Sequence, residues 1–152
     1  MTQRAIKVKA MGLFVSPDGR FLASSHRDSV KGQAYLRLLG GGVAFGERSD
    51  AALRREMLEE IEAEITDVTL LEVVENSFTY EGRPGHEIVF VYGAAFSDPA
   101  FYTREQIPVV ESDSRHMASW TPCDAVLDGR ALLYPPANYA AHFPNLAASA
   151  KK

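Results

Sequence analysis

The sequence predicts an α/β domain, and three observations carry this prediction. Several short segments are rich in Val, Ile, Phe and Tyr, the residue types that favour β-strands. One segment, residues 49–61, places apolar side chains at every fourth position, the spacing of a helix with one buried face. The chain has 152 residues, of which 46% are hydrophobic. We therefore expect residues 1–152 to fold as a single domain with an ordinary core.

The predicted strands begin with a hairpin. Apolar and polar residues alternate up to Val15, residues 16–19 (Ser-Pro-Asp-Gly) are typical of a turn, and an extended pattern resumes at Phe21. A later strand is expected to end at the three consecutive glycines 40–42, where the backbone can approach another group closely. A turn at residues 82–85 separates the last two strands of the series. The predicted strands are residues 6–15, 21–25, 34–39, 68–74 and 87–96.

The clearest helix signal lies in residues 49–61, where Leu53, Met57 and Ile61 form a single apolar stripe. Residues 97–115 are irregular and acidic, and we expect them to form a surface loop. A short strand should then end at Trp120. Two further helices are predicted, at residues 122–127 and 137–146.

The composition excludes several classes of function. A net charge of -4 and an isoelectric point near 5.6 argue against binding of duplex nucleic acid, which needs a clustered excess of Lys and Arg. The single cysteine, Cys123, rules out an internal disulfide and a Cys-rich zinc site. The sequence lacks an apolar signal segment and any apolar run of membrane-spanning length. These features predict a cytoplasmic protein without membrane contact, with a homodimer as one open alternative.

Three carboxylates in the predicted helix point to metal chemistry. Glu56, Glu59 and Glu60 fall within a sector of about 100° on the helix surface. Clustered like charges are unfavourable by themselves, but a divalent cation reverses that effect, because Mg²⁺ and Mn²⁺ prefer oxygen ligands. A solvated acidic face is the alternative explanation for such a cluster. The glycines that precede this helix favour the metal site.

The segment from Gly41 to Ala63, GGVAFGERSDAALRREMLEEIEA, resembles the signature of the Nudix (MutT-like) hydrolase family. That signature is G-x5-E-x7-R-E-U-x-E-E-x-G-U, where U is a bulky aliphatic residue. Seven of its nine defined positions match in register. A match of this length is far more specific than a lone glycine motif. The matching residues are Gly41, Glu47, Arg55, Glu56, Met57, Glu59 and Glu60.

The two remaining positions depart from the signature. Glu62 stands where the family has glycine, and Ala63 stands where it has a larger aliphatic residue. Since the family glycine follows the helix, Glu62 is expected either to extend the helix or to accept a strained backbone conformation. Neither departure removes an implied metal ligand. Ala44 and Leu39 also replace residues that are common in the family, an acid and a proline.

The resemblance implies a Nudix fold, an α/β/α sandwich around a mixed β-sheet, over essentially the whole chain. It also implies hydrolysis of a nucleoside diphosphate linked to a group X by attack of water on phosphorus. Nucleoside triphosphates, ADP-ribose, nucleotide sugars and dinucleoside polyphosphates stay open as substrates, with nucleoside triphosphates or ADP-ribose-like compounds favoured. A non-catalytic nucleotide sensor is the alternative, and a Nudix-fold isomerase is a third, less favoured one.

The family signature also assigns roles to individual residues. The carbonyl oxygen of Gly40 and the carboxylates of Glu56, Glu59 and Glu60 are the implied ligands of Mg²⁺, for which Mn²⁺ can substitute. Arg55 resembles the family arginine that orients these carboxylates, and its position four residues before Glu59 favours an ion pair.

Residues near the metal site are expected to meet the substrate. Glu47 lies at the margin of the implied site, and with Gly41, Arg27 and Glu87 it completes our set of predicted substrate contacts. Arg20 and Arg37 are further candidates for the phosphates. Four aromatic residues could stack on a base, although packing in the core or at its rim is the favoured role of each. They are Tyr35, Phe78, Tyr80 and Tyr134.

The general base varies in position within the family, so the signature does not identify it. Glu111 is the first candidate and Asp113 the second, because both lie in the segment before Trp120, where some relatives supply a carboxylate. Glu87 and Glu56 are the alternatives. Geometry decides among them, since a base must lie within hydrogen-bond reach of the water or one water away.

Overall fold

Two mixed β-sheets and the helices packed on them form the part of the chain that the computed structural model describes, residues 4–111 and 114–143. The elements in chain order are β1 (Lys7–Leu13), β2 (Arg20–Asp28), β3 (Gln33–Arg37), β4 (Leu39–Gly42), α1 (Ser49–Ile61), β5 (Ile65–Tyr80), β6 (Arg83–Phe96), a 3₁₀ turn (Pro99–Tyr102), β7 (Gln106–Glu111), β8 (Ser114–Pro122), α2 (Cys123–Leu127) and β9 (Leu133–Tyr134).

The strands divide into a first sheet of order β4-β1-β6-β5 and a second sheet of order β7-β8-β2-β3-β9. Both sheets are mixed. In the first sheet β1 runs parallel to β6 and antiparallel to β4, and in the second β3 and β9 are the parallel pair. Residues of both sheets line a common cavity.

Alternate residues of the strands enter two separate cores. Ala10 packs in one core with Met57 of α1, whereas Met11 packs in the other with Phe143. Because successive side chains of a strand point to opposite faces, each sheet can be covered on both sides. Helix α1 covers one side, and residues 139–143, which are helical, cover the other. This layering confirms the predicted α/β/α sandwich; the predicted last helix extends beyond residue 143, outside the described residues.

The hairpin prediction is correct only at its turn. Ser16 and Gly19 close the turn through a hydrogen bond from the Gly19 amide to the Ser16 carbonyl, and Val15 forms a single bridge with Phe21. The flanking strands, β1 and β2, nevertheless belong to different sheets. Both edges of β1 are already occupied, by β4 and β6, so β2 cannot pair along it.

The surface loop predicted for residues 97–115 is wrong over much of its length. It contains the 3₁₀ turn and the strand β7, whose Ile107 and Val109 are buried. Pro108 is compatible with this strand because β7 lies at the edge of its sheet, where a missing backbone N–H leaves no ladder bond unmade. Residues 112 and 113, including Asp113, lie outside the described residues.

The predicted strands at 68–74 and 87–96 are confirmed and are longer than expected. They form the hairpin β5–β6, whose tip is the pair Glu81 and Gly82, both with positive φ. Pro84 and Gly85, which we assigned to the turn, lie within β6. The hairpin therefore reaches further past the core than the apolar pattern indicates.

Helix α1 spans the predicted residues, Ser49–Ile61. Glu62 does not extend it: this residue adopts the left-handed conformation, with φ 56° and ψ 37°, and its amide donates to the Leu58 carbonyl. The Ala63 amide donates to the Met57 carbonyl, and the helix thus ends in an αL-type cap with Glu62 as its left-handed residue. No helix in residues 4–111 or 114–143 is long and apolar enough to cross a membrane.

Candidate active site

The consecutive glycines form most of strand β4 rather than a loop after β3, and two of them leave no room for a side chain. Gly40 has a φ of 150°, and a Cβ there would collide with the Ala10 carbonyl oxygen. A Cβ on Gly41 would collide with the Glu56 carboxylate. A Cβ on Gly42 would meet no described atom within 4 Å. Glycine at position 41 therefore lets the helix carboxylate lie directly against the β4 backbone.

An acidic cleft of about 520 Å³ opens beside these glycines. We use this name for the space between β4, α1 and β7, into which the predicted carboxylates are brought together. Oppositely charged residues from β1 and β3 stand at its edge. The charged residues that line it are Lys9, Arg37, Glu56, Glu59, Glu60 and Glu111.

Arg55 links the carboxylates of this region. It donates to both oxygens of Glu47, at 2.8 and 2.9 Å, to Glu56 at 3.0 Å and to Glu59 at 3.2 Å. It also donates to the carbonyl of Gly42 at 2.9 Å. The hydrogen bonds from Arg55 hold the pKa of Glu47 at about 2, and those same bonds raise the pKa of Arg55. Glu47 thus supports the site through Arg55 and does not line the cleft.

Glu60 is the most deeply placed carboxylate of the three, with 7% of its surface exposed. Burial raises the pKa of Glu60, and the neighbouring charges of Glu56 and Glu111 raise it further. Crowded carboxylates of this kind are stabilised by a positive charge placed among them. The electrostatics of the cleft therefore favour a bound cation.

Glu111 closes the cleft on the side of β7. Its carboxylate accepts a hydrogen bond from Arg37 Nη2 at 2.8 Å, and His116 Nε2 lies 3.6 Å from the same oxygen. The Nε atom of Arg37 is buried and has no hydrogen-bond partner among residues 4–111 and 114–143. Arg37 therefore brings its charge to the acidic cleft, while one of its buried nitrogens is left without an acceptor among the described residues.

A second cavity, of about 390 Å³, lies beside the acidic cleft and is lined by residues of both sheets. We call it the aromatic pocket, because the ring of Tyr35 contacts those of His26, Tyr80 and Tyr134, with centroids 5.3 to 6.2 Å apart. Both cavities are lined by Lys9, Met11, Arg37 and Glu111. The two cavities therefore lie next to each other and share these residues, and we refer to them together as the groove.

His26 stands in this groove as a neutral side chain. Burial lowers its pKa to about 4, and the positive charge of Arg37 and the neighbouring His116 act in the same direction. Its ring stacks on Tyr35, and its Nε2 is bonded to the Ser24 hydroxyl at 2.8 Å. Burial likewise raises the pKa of Tyr35 to about 12, so this pocket wall carries no charge from either ring at neutral pH.

The structure brings most predicted site residues to the groove, but not all of them. Glu87 lines the aromatic pocket. Arg27 lines neither cavity, because strand alternation places His26 and Asp28 on the inner face of β2 and leaves Arg27 exposed on the outer one. Arg20 is likewise outside the groove, where it pairs with Asp18. We therefore remove Arg27 from the set of substrate contacts.

Several groove residues gave no signal in the sequence, among them Lys9, His26, Asn76 and His116. Each is a single polar residue in a strand, and single polar residues are ordinary on a sheet surface. The alternation of β1 places Lys9 and Met11 on one face, which is the only indication of the role of Lys9.

The carboxylate and backbone carbonyl oxygens of the acidic cleft are the ligand types that a hard divalent cation prefers. In the described residues, no three Asp, Glu, His or Cys side chains converge closely enough to hold a metal ion as they stand. Arg55 binds both Glu56 and Glu59 in this arrangement. A metal ion would share those two carboxylates with Arg55.

The family assignment rests on a comparison of the whole sequence. The family model for the NUDIX domain matches residues 6–141, most of the chain. The chain belongs to the NUDIX family. The resemblance in residues 41–63 thus extends to the entire domain, and the enzyme is a Nudix hydrolase that acts on phosphorus-containing anhydrides.

Solved structures show the same fold. A MutT NUDIX hydrolase from Burkholderia pseudomallei is 26% identical over 95% of this chain and 98% of its own, with a TM-score of 0.60. The E. coli dihydroneopterin triphosphate pyrophosphohydrolase is 18% identical over 93% and 99%, with a TM-score of 0.64. A NUDIX hydrolase from Nitrosomonas europaea is 16% identical over 87% and 82%, with a TM-score of 0.58.

Family membership carries two general consequences. Nudix hydrolases use divalent metal ions, and they act on nucleotide-like small molecules. Both agree with an acidic cleft that adjoins a pocket of aromatic rings.

Proposed function

We propose that this Nudix hydrolase cleaves the pyrophosphate linkage of a nucleoside diphosphate joined to a group X, with Mg²⁺ as cofactor and Mn²⁺ as a substitute. The adjacency of the acidic cleft and the aromatic pocket, which share four lining residues, carries the proposal. One end of the groove offers charged groups for phosphates, and the other offers flat rings for a base. The favoured substrates are nucleoside triphosphates or ADP-ribose-like compounds.

The metal ligands in this proposal are the Gly40 carbonyl and the carboxylates of Glu56, Glu59 and Glu60. A bound divalent cation supplies charge neutralisation and Lewis acidity at the phosphates. Gly41 permits Glu56 to lie close to β4, and Arg55 orients Glu56 and Glu59 by direct hydrogen bonds.

The cationic residues at the boundary of the two cavities would hold the substrate phosphates. Lys9 and Arg37 both line the acidic cleft and the aromatic pocket. Their positive charges support this role, because guanidinium and ammonium groups donate charge-assisted hydrogen bonds to anions. A phosphate oxygen is an acceptor of suitable charge and geometry.

The proposed reaction is attack of water on one phosphorus, with cleavage of its bond to the bridging oxygen. Glu111 would accept the proton from the water, and the products would be a nucleoside monophosphate and phosphorylated X. Glu111 is favoured as the base because it borders both cavities. Glu56, which also faces the cleft, is the alternative base. Glu87 lies in the aromatic pocket and is better placed to contact the substrate.

A substrate panel tests this proposal. The purified protein should release a monophosphate from at least one nucleoside triphosphate, ADP-ribose-like compound, nucleotide sugar or dinucleoside polyphosphate when Mg²⁺ or Mn²⁺ is present. Product identification defines X. Binding of a nucleotide without turnover, across the whole panel, would instead support a nucleotide sensor.

Variants of the helix carboxylates test the metal assignment. Glu59→Gln and Glu60→Gln should each lower kcat by orders of magnitude, because each removes a charged ligand. Glu62→Gln is the matched control, since Glu62 ends the same helix and lies outside the cleft lining. Unchanged turnover in both cleft variants would reject the proposed ligands.

A further inference from the structure

A buried amide faces the aromatic pocket without a protein partner. Asn76 is 9% exposed and lines this pocket. Its side chain makes no hydrogen bond to any residue in the described part of the chain. The amide is not completely enclosed, since Arg37 Nε is the one fully buried side-chain nitrogen or oxygen without a partner in the described residues, and Asn76 itself lines the pocket. The amide of Asn76 is therefore a position that a ligand can complete.

The strand pattern explains why an apolar residue would be expected here. Val74, Asn76 and Phe78 follow one another at alternate positions of β5, so they share the face that points toward the second sheet. Val74 belongs to the hydrophobic core, whereas Phe78 lines the pocket. Asn76 stands at the boundary, where the core ends and the pocket begins. Folding alone would be served as well by Leu or Val at this position.

The surroundings of the amide fit a flat heterocycle. Tyr35 projects from the opposing sheet, with Tyr134 and Tyr80 in edge contact with it, and Phe78 neighbours Asn76 on its own strand face. Aromatic walls stack on planar rings, and a carboxamide presents an acceptor and a donor side by side. The edge of a nucleobase offers the complementary pair, a donor next to an acceptor.

We propose that Asn76 is a specificity-determining residue, whose amide hydrogen-bonds the edge of a nucleobase seated between the rings of the aromatic pocket. This inference rests on the proposed function, because it assigns the base to the pocket and the phosphates to the acidic cleft. Asn76 has no part in the cleavage step itself, since it does not line the acidic cleft.

The first test is a split between KM and kcat in the variant Asn76→Leu. We expect KM for the best nucleotide of the panel to rise about 10- to 100-fold, with kcat within about threefold of the original, because one or two hydrogen bonds to the bound base are lost. Ser77→Ala is the matched control on the same strand, with its side chain exposed on the other face. A merely structural role for Asn76 predicts lowered kcat or a lowered Tm, and either result with KM unchanged would overturn the inference.

A binding measurement separates this inference from the proposed hydrolysis. Calorimetry with free nucleosides, in the presence of EDTA, requires neither metal nor turnover. The unmodified protein should bind at least one nucleoside, and Asn76→Leu should lose that binding about 10-fold or more. If no nucleoside binds, the inference fails even when a nucleotide is hydrolysed. If nucleosides bind and no nucleotide is hydrolysed, the proposed function fails and this inference stands.

A second variant covers the case in which Asn76→Leu does not fold. Asn76→Asp keeps the size of the side chain but offers only acceptors when ionised. It should shift the preference toward bases whose edge presents two adjacent donors, as guanine does, and away from edges that contain an acceptor. The same ratio of KM values for guanine and adenine nucleotides before and after the substitution would count against the proposal.

Discussion

Arg55 donates two parallel hydrogen bonds to Glu47, from Nε at 2.8 Å and from Nη2 at 2.9 Å. Its Nη1 atom donates to the carboxylates of Glu56 and Glu59. Glu47 therefore fixes the arginine that in turn positions two proposed metal ligands. Glu47, eight residues before the arginine, therefore influences the geometry of the proposed metal site although it does not line the acidic cleft.

The first prediction follows from the geometry of the arginine fork. Arg55→Lys retains the positive charge but cannot make two parallel bonds to Glu47 while also holding Glu56 and Glu59. We expect kcat/KM to fall about 10- to 100-fold and the Mg²⁺ concentration for half-maximal activity to rise, as for other residues that orient metal ligands. A Mg²⁺ titration of activity measures both effects. Arg48→Lys, at an exposed residue outside the cleft, should change neither, and an equal response of both variants would contradict the role of Arg55.

The second prediction compares two neighbouring glycines. In Gly41→Ala the new methyl group would collide with the Glu56 carboxylate and displace it, since that carboxylate is the movable end of a side chain. A displacement of about 1 Å in such a site can lower activity about 100-fold. Gly42→Ala should leave kcat/KM within about twofold, because a Cβ there meets no atom of the described residues within 4 Å. Steady-state measurement of kcat/KM for both variants tests this prediction, and their Tm values show whether both fold.

Helix α1 shows which part of the site a sequence can specify. The apolar stripe, the preceding glycines and the spaced carboxylates all lie within residues 41–63, and local periodicity determines how they are arranged. The bounds of this helix and the contact between Arg55 and Glu59 accordingly match the prediction. Interactions three or four residues apart need no knowledge of the remaining fold.

The aromatic pocket shows what the sequence leaves undetermined. His26 on β2 and Asn76 on β5 belong to different sheets, and they line one pocket only because the two sheets face each other. The hairpin prediction failed for a similar reason, because the strands that pair with β1 come from distant parts of the chain. Strand pairing and sheet packing are long-range properties, which a local pattern does not encode.

The third prediction concerns the strained end of α1. Glu62 holds a left-handed conformation, which costs a non-glycine residue about 1–2 kcal/mol, and the family signature has glycine at this position. Glu62→Gly should stabilise the protein by about 0.5–1 kcal/mol, because part of the gain is offset by the greater freedom of glycine in the unfolded chain. Glu62→Ala removes the charge but keeps the strain, and we expect no comparable gain from it. Urea unfolding of the three proteins gives the comparison.

The fourth prediction is a dependence of stability on pH that originates at His26. Its pKa of about 4 in the folded protein lies below the ordinary value of 6.5, mainly because burial disfavours the charged ring. Between pH 6.5 and 4 the unfolded chain therefore binds a proton that the folded protein does not, and stability is lost as the pH falls through this window. With an allowance for solvent screening of this half-buried ring, we expect a loss of about 1–2 kcal/mol from this residue.

The variant His26→Phe isolates that contribution, since it preserves a ring to stack on Tyr35 and removes the titrating group. The free energy of unfolding should be measured by urea denaturation at pH 7 and pH 4.5 for both proteins. The original protein should lose more stability between the two pH values than the variant does, because the other acidic and basic groups are common to both. Equal losses would mean that His26 is protonated as readily in the folded protein as in the unfolded chain, and that burial in the aromatic pocket does not hold this ring neutral.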